Sequence, residues 1–230
     1  MSEGAPYRYT RSDVAWLVEG ENHRYAVLVP RKRQVWIGKD GSGRLREERG
    51  APIFLGARDA RDWGPTSPLE GIVDDAYAAG ELARVSTAEL PRERDALRAV
   101  LRASAADGEP MSVAVLTAGL SYLRETVPPP DIAELLYALI TTESGVRSDG
   151  PVTDHAGRKG EGYSVDLTAS RNAKGGAQRL SVIFDPTTHG LLEDARILIE
   201  PDPTIDASPP VTIGWSTYLD ARMVASTRED

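Results

Sequence analysis

A chain of 230 residues, 40% hydrophobic and 27% charged, is long enough to bury a sizeable core and too apolar to be a disordered polymer. Its formal charge of -8 argues against a nucleic-acid binder, and the absence of cysteine removes disulfides, thiolate metal sites and cysteine nucleophiles together. No apolar run approaches the ~20 residues that span a bilayer, so the sequence as given reads as soluble.

From Tyr7 to about Arg49 the pattern has period two. Val14, Trp16 and Val18 share one face, Tyr25, Val27 and Val29 another, and Val35 and Ile37 lie opposite Trp36. Four strands are expected in a meander. Gly20 to Asn22 and Pro30 to Arg33 separate the first three, and Asp40-Gly41-Ser42-Gly43 closes a hairpin, because Asp-Gly tolerates the positive φ of primed turns. The basic run Arg31-Lys32-Arg33 is thereby placed in a solvated turn. A Gly- and Pro-rich loop follows around Trp63 to Gly71, and the pattern over Ile72 to Gly80 assigns no element.

The middle block, 91–142, is helical. Leu97, Val100 and Leu101 follow helical spacing behind Pro91, and Val113, Leu116, Leu120 and Leu123 form one stripe between Ser112 and Arg124. A third helix starts after Pro128-Pro129-Pro130. Asp131 is its expected cap with Glu134 as reciprocal partner, Ile132, Leu135, Leu136, Leu139 and Ile140 are its apolar stripe, and Ser144-Gly145 its end. Period two returns at 146–152, 163–167, 180–184, 191–199 and 211–218. Within this block, Asp185-Pro186 and His189-Gly190 punctuate a hairpin between apolar runs. Strands, then helices, then strands imply an α+β fold: a large antiparallel twisted sheet with about three central helices packed on one face, in a single domain over 1–230.

Few residues offer chemistry. Gly38 to Gly43 has the glycine spacing of a phosphate loop, but Arg44-Leu45 stands where lysine and a hydroxyl residue must follow, so it reads as a turn. The three histidines, His23, His155 and His189, lie beside turn residues in different hairpins. Asp154-His155 is the nearest approach to a pair, and His189 could share a strand face with Glu193, yet neither amounts to a triad or a metal site. No catalytic residue, metal ligand or cofactor is expected. Arg44, Arg46 and Glu48 fall on one face of a solvent-facing strand. The aromatic set Tyr7, Tyr9, Trp16, Tyr25 and Trp36 is expected as core between sheet and helices; if that sheet is concave and incompletely covered, Trp16, Tyr25 and Trp36 are the candidate ligand-binding residues.

Val14-Ala-Trp-Leu17, Asp40-Gly-Ser-Gly-Arg-Leu-Arg-Glu47, Arg49-Gly-Ala-Pro-Ile-Phe-Leu55, the triple proline, and Ile183-Phe-Asp-Pro-Thr187 followed by Leu191-Leu192 occur in this order. As an ordered set they resemble the actinobacterial CU044-type family of membrane-anchored proteins over about Tyr7 to Leu219. The resemblance implies an outer domain, similar to LolA-like half-barrels and to periplasmic sigma-regulatory sensors, that is excised here from an upstream membrane anchor. It implies an extracytoplasmic, non-enzymatic sensor or interaction domain regulating an extracytoplasmic-function sigma factor, with a protein partner or apolar ligand. The alternative is a soluble carrier of a lipid or other apolar ligand in the concave face of the sheet.

Overall fold

The computed structural model describes residues 7–19, 26–63, 71–82, 86–87, 89–105, 108–167 and 176–228. Among these residues ten strands and four helices follow in chain order: β1 (Tyr7–Glu19), β2 (Ala26–Gly38), β3 (Gly43–Arg49), β4 (Ile53–Phe54), α1 (Ala57–Asp62), β5 (Gly71–Tyr77), α2 (Arg94–Ala103), α3 (Met111–Glu125), α4 (Pro130–Thr142), β6 (Arg147–Thr153), β7 (Lys159–Leu167), β8 (Gln178–Phe184), β9 (Leu191–Leu198) and β10 (Val211–Val224). The strands form one open antiparallel sheet in the order β5-β3-β2-β1-β10-β9-β8-β7-β6, with β4 paired to β2. The expected α+β class is therefore the observed one, with helices α2 to α4 packed on the sheet. Among the described residues no helix is long and apolar enough to cross a membrane.

The N-terminal and C-terminal strand groups meet at one seam. β1 pairs with β10 from Tyr7 opposite Val224 to Trp16 opposite Gly214, with a bulge at Arg11/Ser12. Close approach there requires glycine: a Cβ at Gly214 would lie 2.5 Å from the Trp16 ring.

Helix placement follows from the apolar stripes. Leu97 and Leu101 of α2, Leu116 and Leu120 of α3, and Leu136, Leu139 and Ile140 of α4 are fully or almost fully buried in one cluster with Val165 of β7 and Leu180, Val182 and Phe184 of β8. Each such side chain contributes about 1.5–3 kcal/mol by leaving water, so the helices are fixed to the C-terminal half of the sheet by their own sequence pattern. α2 is also tied to the end of α4, where the Arg98 guanidinium donates to both oxygens of Glu143 at 2.6 and 2.8 Å.

Several expectations change. β2 runs unbroken through Pro30 to Arg33, so the basic run is strand and the N-terminal meander has three long strands where four were expected. Pro30 is tolerated because it falls in the gap between the β4 pairing at Val27–Leu28 and the β3 pairing that starts at Arg31, where no ladder donor is needed, and its carbonyl accepts from Gly50 N–H at 2.9 Å. Arg31 and Arg33 face a carboxylate on the neighbouring strand, Glu47. The unassigned stretch is the edge strand β5, paired with β3 from Gly71 opposite Arg49 to Tyr77 opposite Gly43. Helix α4 begins one residue earlier than its expected cap: Pro129 takes the cap position with no side-chain bond and Pro130 the first turn. Asp131 instead pairs with Arg92 and Glu134 with His189. α4 ends on an extended Glu143, and Gly145, with φ +94°, serves the turn beyond it. In the β8–β9 hairpin the left-handed residue is His189, with φ +56°.

Candidate functional site

The alternation of side chains along paired strands divides the sheet into two faces. The helix-covered face carries Val165 and Val182; through the register, Asp194, Ser216, Val14 and Arg31 continue it toward the other edge. The opposite face carries Trp215 and Thr217 on β10, Asp13 and Ala15 on β1, Lys32 on β2 and Glu48 on β3.

On that opposite face lies an open cavity of about 400 Å³, bordered by Asp13, Lys32, Glu48, His155, Trp215 and Thr217 among others. Its roof is the β6–β7 turn, and the turn is rigid for identifiable reasons. The Asp154 carboxylate accepts from the N–H groups of Ala156 at 3.0 Å and Arg158 at 2.8 Å, and from the Arg158 Nε at 2.7 Å. Gly157 supplies the positive φ, +81°, that closes the loop. Arg158 also donates to the Leu192 carbonyl at 3.0 Å, which binds the turn to β9.

This anchored turn delivers His155 onto the sheet. Its ring lies parallel to the Trp215 indole, centroids 4.3 Å apart and planes 3° apart. Its backbone N–H donates to Glu193 Oε2 at 2.8 Å, and its Nδ1 lies 2.9 Å from Glu193 Oε1. Thr217 Oγ1 donates to the same Oε2 at 2.7 Å. Glu193 is only 3% exposed, so its carboxylate is held by three donors in place of water. A carboxylate accepts and does not donate, so Nδ1 carries the ring proton and Nε2 is the imidazole nitrogen left for another partner.

Asp13, Lys32 and Glu48 form a row across three adjacent strands, Asp13 opposite Lys32 and Lys32 opposite Glu48. The cavity thus combines a flat aromatic wall, an oriented imidazole, and charges of both signs. It can position a small polar molecule through ring contact and ionic hydrogen bonds. Among the described residues no group of three or more histidines and carboxylates is placed to hold a metal ion.

The aromatic candidates fall elsewhere. Trp36 is buried against Tyr9 and Val224 in a small cluster separate from the helices, its ring 5.2 Å from that of Tyr9. Trp16 sits on the other face, against Gly214. The two tryptophans therefore do not line one groove, and Tyr25 lies outside the described residues. Glu193 pairs with His155, and His189 with Glu134 at 2.5 Å while stacking on Tyr137. Asp154-His155 was the one visible signal for this site; Trp215, Thr217 and Glu193 carry no local motif and converge only through strand register.

No protein-family model matches this chain, and no curated protein does.

Proposed function

We propose that the protein is a non-enzymatic sensor or interaction domain that binds a small polar ligand, or a side chain of a protein partner, in the cavity beneath the β6–β7 turn. The observation that carries this reading is the Trp215–His155–Glu193–Thr217 arrangement facing an open, charge-bearing space. Its rigid scaffold favours recognition, because every polar group holding His155 is already satisfied before a ligand arrives. The resemblance to the membrane-anchored CU044-type proteins supports an extracytoplasmic location and a link to sigma-factor regulation. The alternative, a lipid carrier, calls for apolar space between helices and sheet. There, Leu116, Leu136, Leu139, Ile140 and Phe184 are fully buried against one another, which favours the sensor reading.

The test is a ligand screen read by thermal shift and by Trp215 fluorescence, with W215A and H155A as controls. A polar ligand that stabilises the native protein and neither variant supports the proposal. Turnover of a model ester or glycoside that vanishes in H155A would overturn the non-enzymatic reading, and co-purification of a lipid displaced by no polar ligand would move the function to the carrier.

A further inference from the structure

On the helix-side face of β2 and β3, three guanidinium groups gather around one carboxylate. Arg31 Nη1 lies 3.5 Å, Arg33 Nε 3.2 Å and Arg49 Nε 4.0 Å from Glu47 oxygens. Register explains the convergence: Arg33 stands opposite Glu47 and Arg31 opposite Arg49, all on the same side of the pleat. The Glu47 side chain is 9% exposed, whereas the Arg33 side chain is 44% exposed. Each guanidinium offers five N–H donors, and a carboxylate has about four acceptor sites. Donors are therefore in large excess, and the Arg49 Nε is buried without any hydrogen-bond partner. In register beside the cluster lie Ser12, opposite Arg33, and Val73, opposite Glu47; neither supplies charge.

Three cations against one anion leave two positive charges in a molecule whose formal charge is -8. We infer that this cluster is a binding site for a phosphate-type oxyanion, whose dianion matches both the excess charge and the planar forks of arginine. The site goes beyond the cavity reading and stands on the other face of the same strands, although Arg31 also borders the cavity wall. The same headgroup chemistry could reach it from free phosphate or from an anionic phospholipid surface.

The experiment is calorimetric titration of the folded protein with inorganic phosphate, with chloride at matched ionic strength as control, and in parallel co-sedimentation with phosphatidylglycerol and phosphatidylcholine vesicles. Saturable phosphate binding is expected, weakened at least about tenfold in R33Q, since one charge-assisted hydrogen bond is worth that much. Arg33 is the most exposed of the three, so R33Q is expected to fold, which circular dichroism checks. E47Q is expected to bind phosphate more tightly by removing the competing anion. Binding to phosphatidylglycerol alone, lost in R33Q, would retain the site and assign the oxyanion to lipid. Heats identical for phosphate and chloride, with neither anionic vesicles nor E47Q changing anything, would overturn the site and leave Glu47 as the only anion the arginines serve.

Discussion

His155 shows how a turn residue becomes a site residue. Its ring nitrogen and its backbone both contact Glu193, and its ring face covers Trp215. Replacing Glu193 by Ala leaves Thr217 Oγ1 and the His155 N–H without their buried acceptor, an expected loss of about 1–3 kcal/mol in chemical denaturation. The same variant should abolish the upfield ring-current shift of the His155 imidazole protons, read by NMR; retention of that shift would mean that stacking alone fixes the ring. The tyrosines allow a second measurement at this scale. The hydroxyl of Tyr163 is pushed up to about 12, first by its hydrogen bond with Tyr137 and then by burial. Tyr218 is raised further, by burial and then by the charge of Asp194, to which it donates at 2.7 Å. Because the folded-state values lie above the ~10 of an unfolded tyrosine, this stabilisation is complete below about pH 10 and is lost as pH rises from there through the folded values. An ultraviolet titration should show these two tyrosines ionising late, with Y163F removing one of the late steps. Little of this was legible from the residues: Asp154-His155 could be singled out, but Glu193 lies 38 positions away and Trp215 carries no turn or motif to mark it.

Elements were more legible, and their failures share a cause. The apolar stripes of α2, α3 and α4 and the alternation of β7 to β10 report burial on one face, which is what periodicity measures. β5 has no such face: Ile72 is 64% exposed and the strand is an edge, so its residues carry no alternation to read. The Pro30 to Arg33 segment has turn-like composition, yet its cations are neutralised in part by Glu47 across the pleat, an interaction visible only once β2 and β3 are paired. The α4 stripe supports a graded prediction. Leu139 is fully buried in the main cluster, and Leu135 packs at its margin. Leu139→Ala should cost about 2–5 kcal/mol, and Leu135→Ala clearly less, by urea unfolding. Equal losses would mean the helix is rotated about its axis from the position described.

At the scale of the whole molecule, β1–β10 is the one strand pairing among the described residues that joins the N-terminal strands to the C-terminal ones, supplemented by the Arg58–Asp206 bond and the packing of Ala26 and Leu17 against Ile205 and Ile213. β1 meets β10 with Val14 opposite Ser216, and Ser216 in turn stands opposite Asp194 of β9. Proline at Ser216 would remove a ladder donor from the centre of the sheet, and a loss of about 3 kcal/mol or more is expected. Hydrogen exchange should then rise along β1 and β10 while the amides of α3 and α4 remain protected; uniform loss of protection would show that the two strand groups unfold as one. That seam also sets an order on biosynthesis. While a ribosome is extending the chain, β1 is made well before β10, the partner for one of its edges, so residues 7–19 present an unpaired edge until β10 emerges. Such an edge invites pairing with a neighbouring nascent chain. A holding chaperone acting between the synthesis of β1 and that of β10 is therefore expected to raise the yield of folded protein.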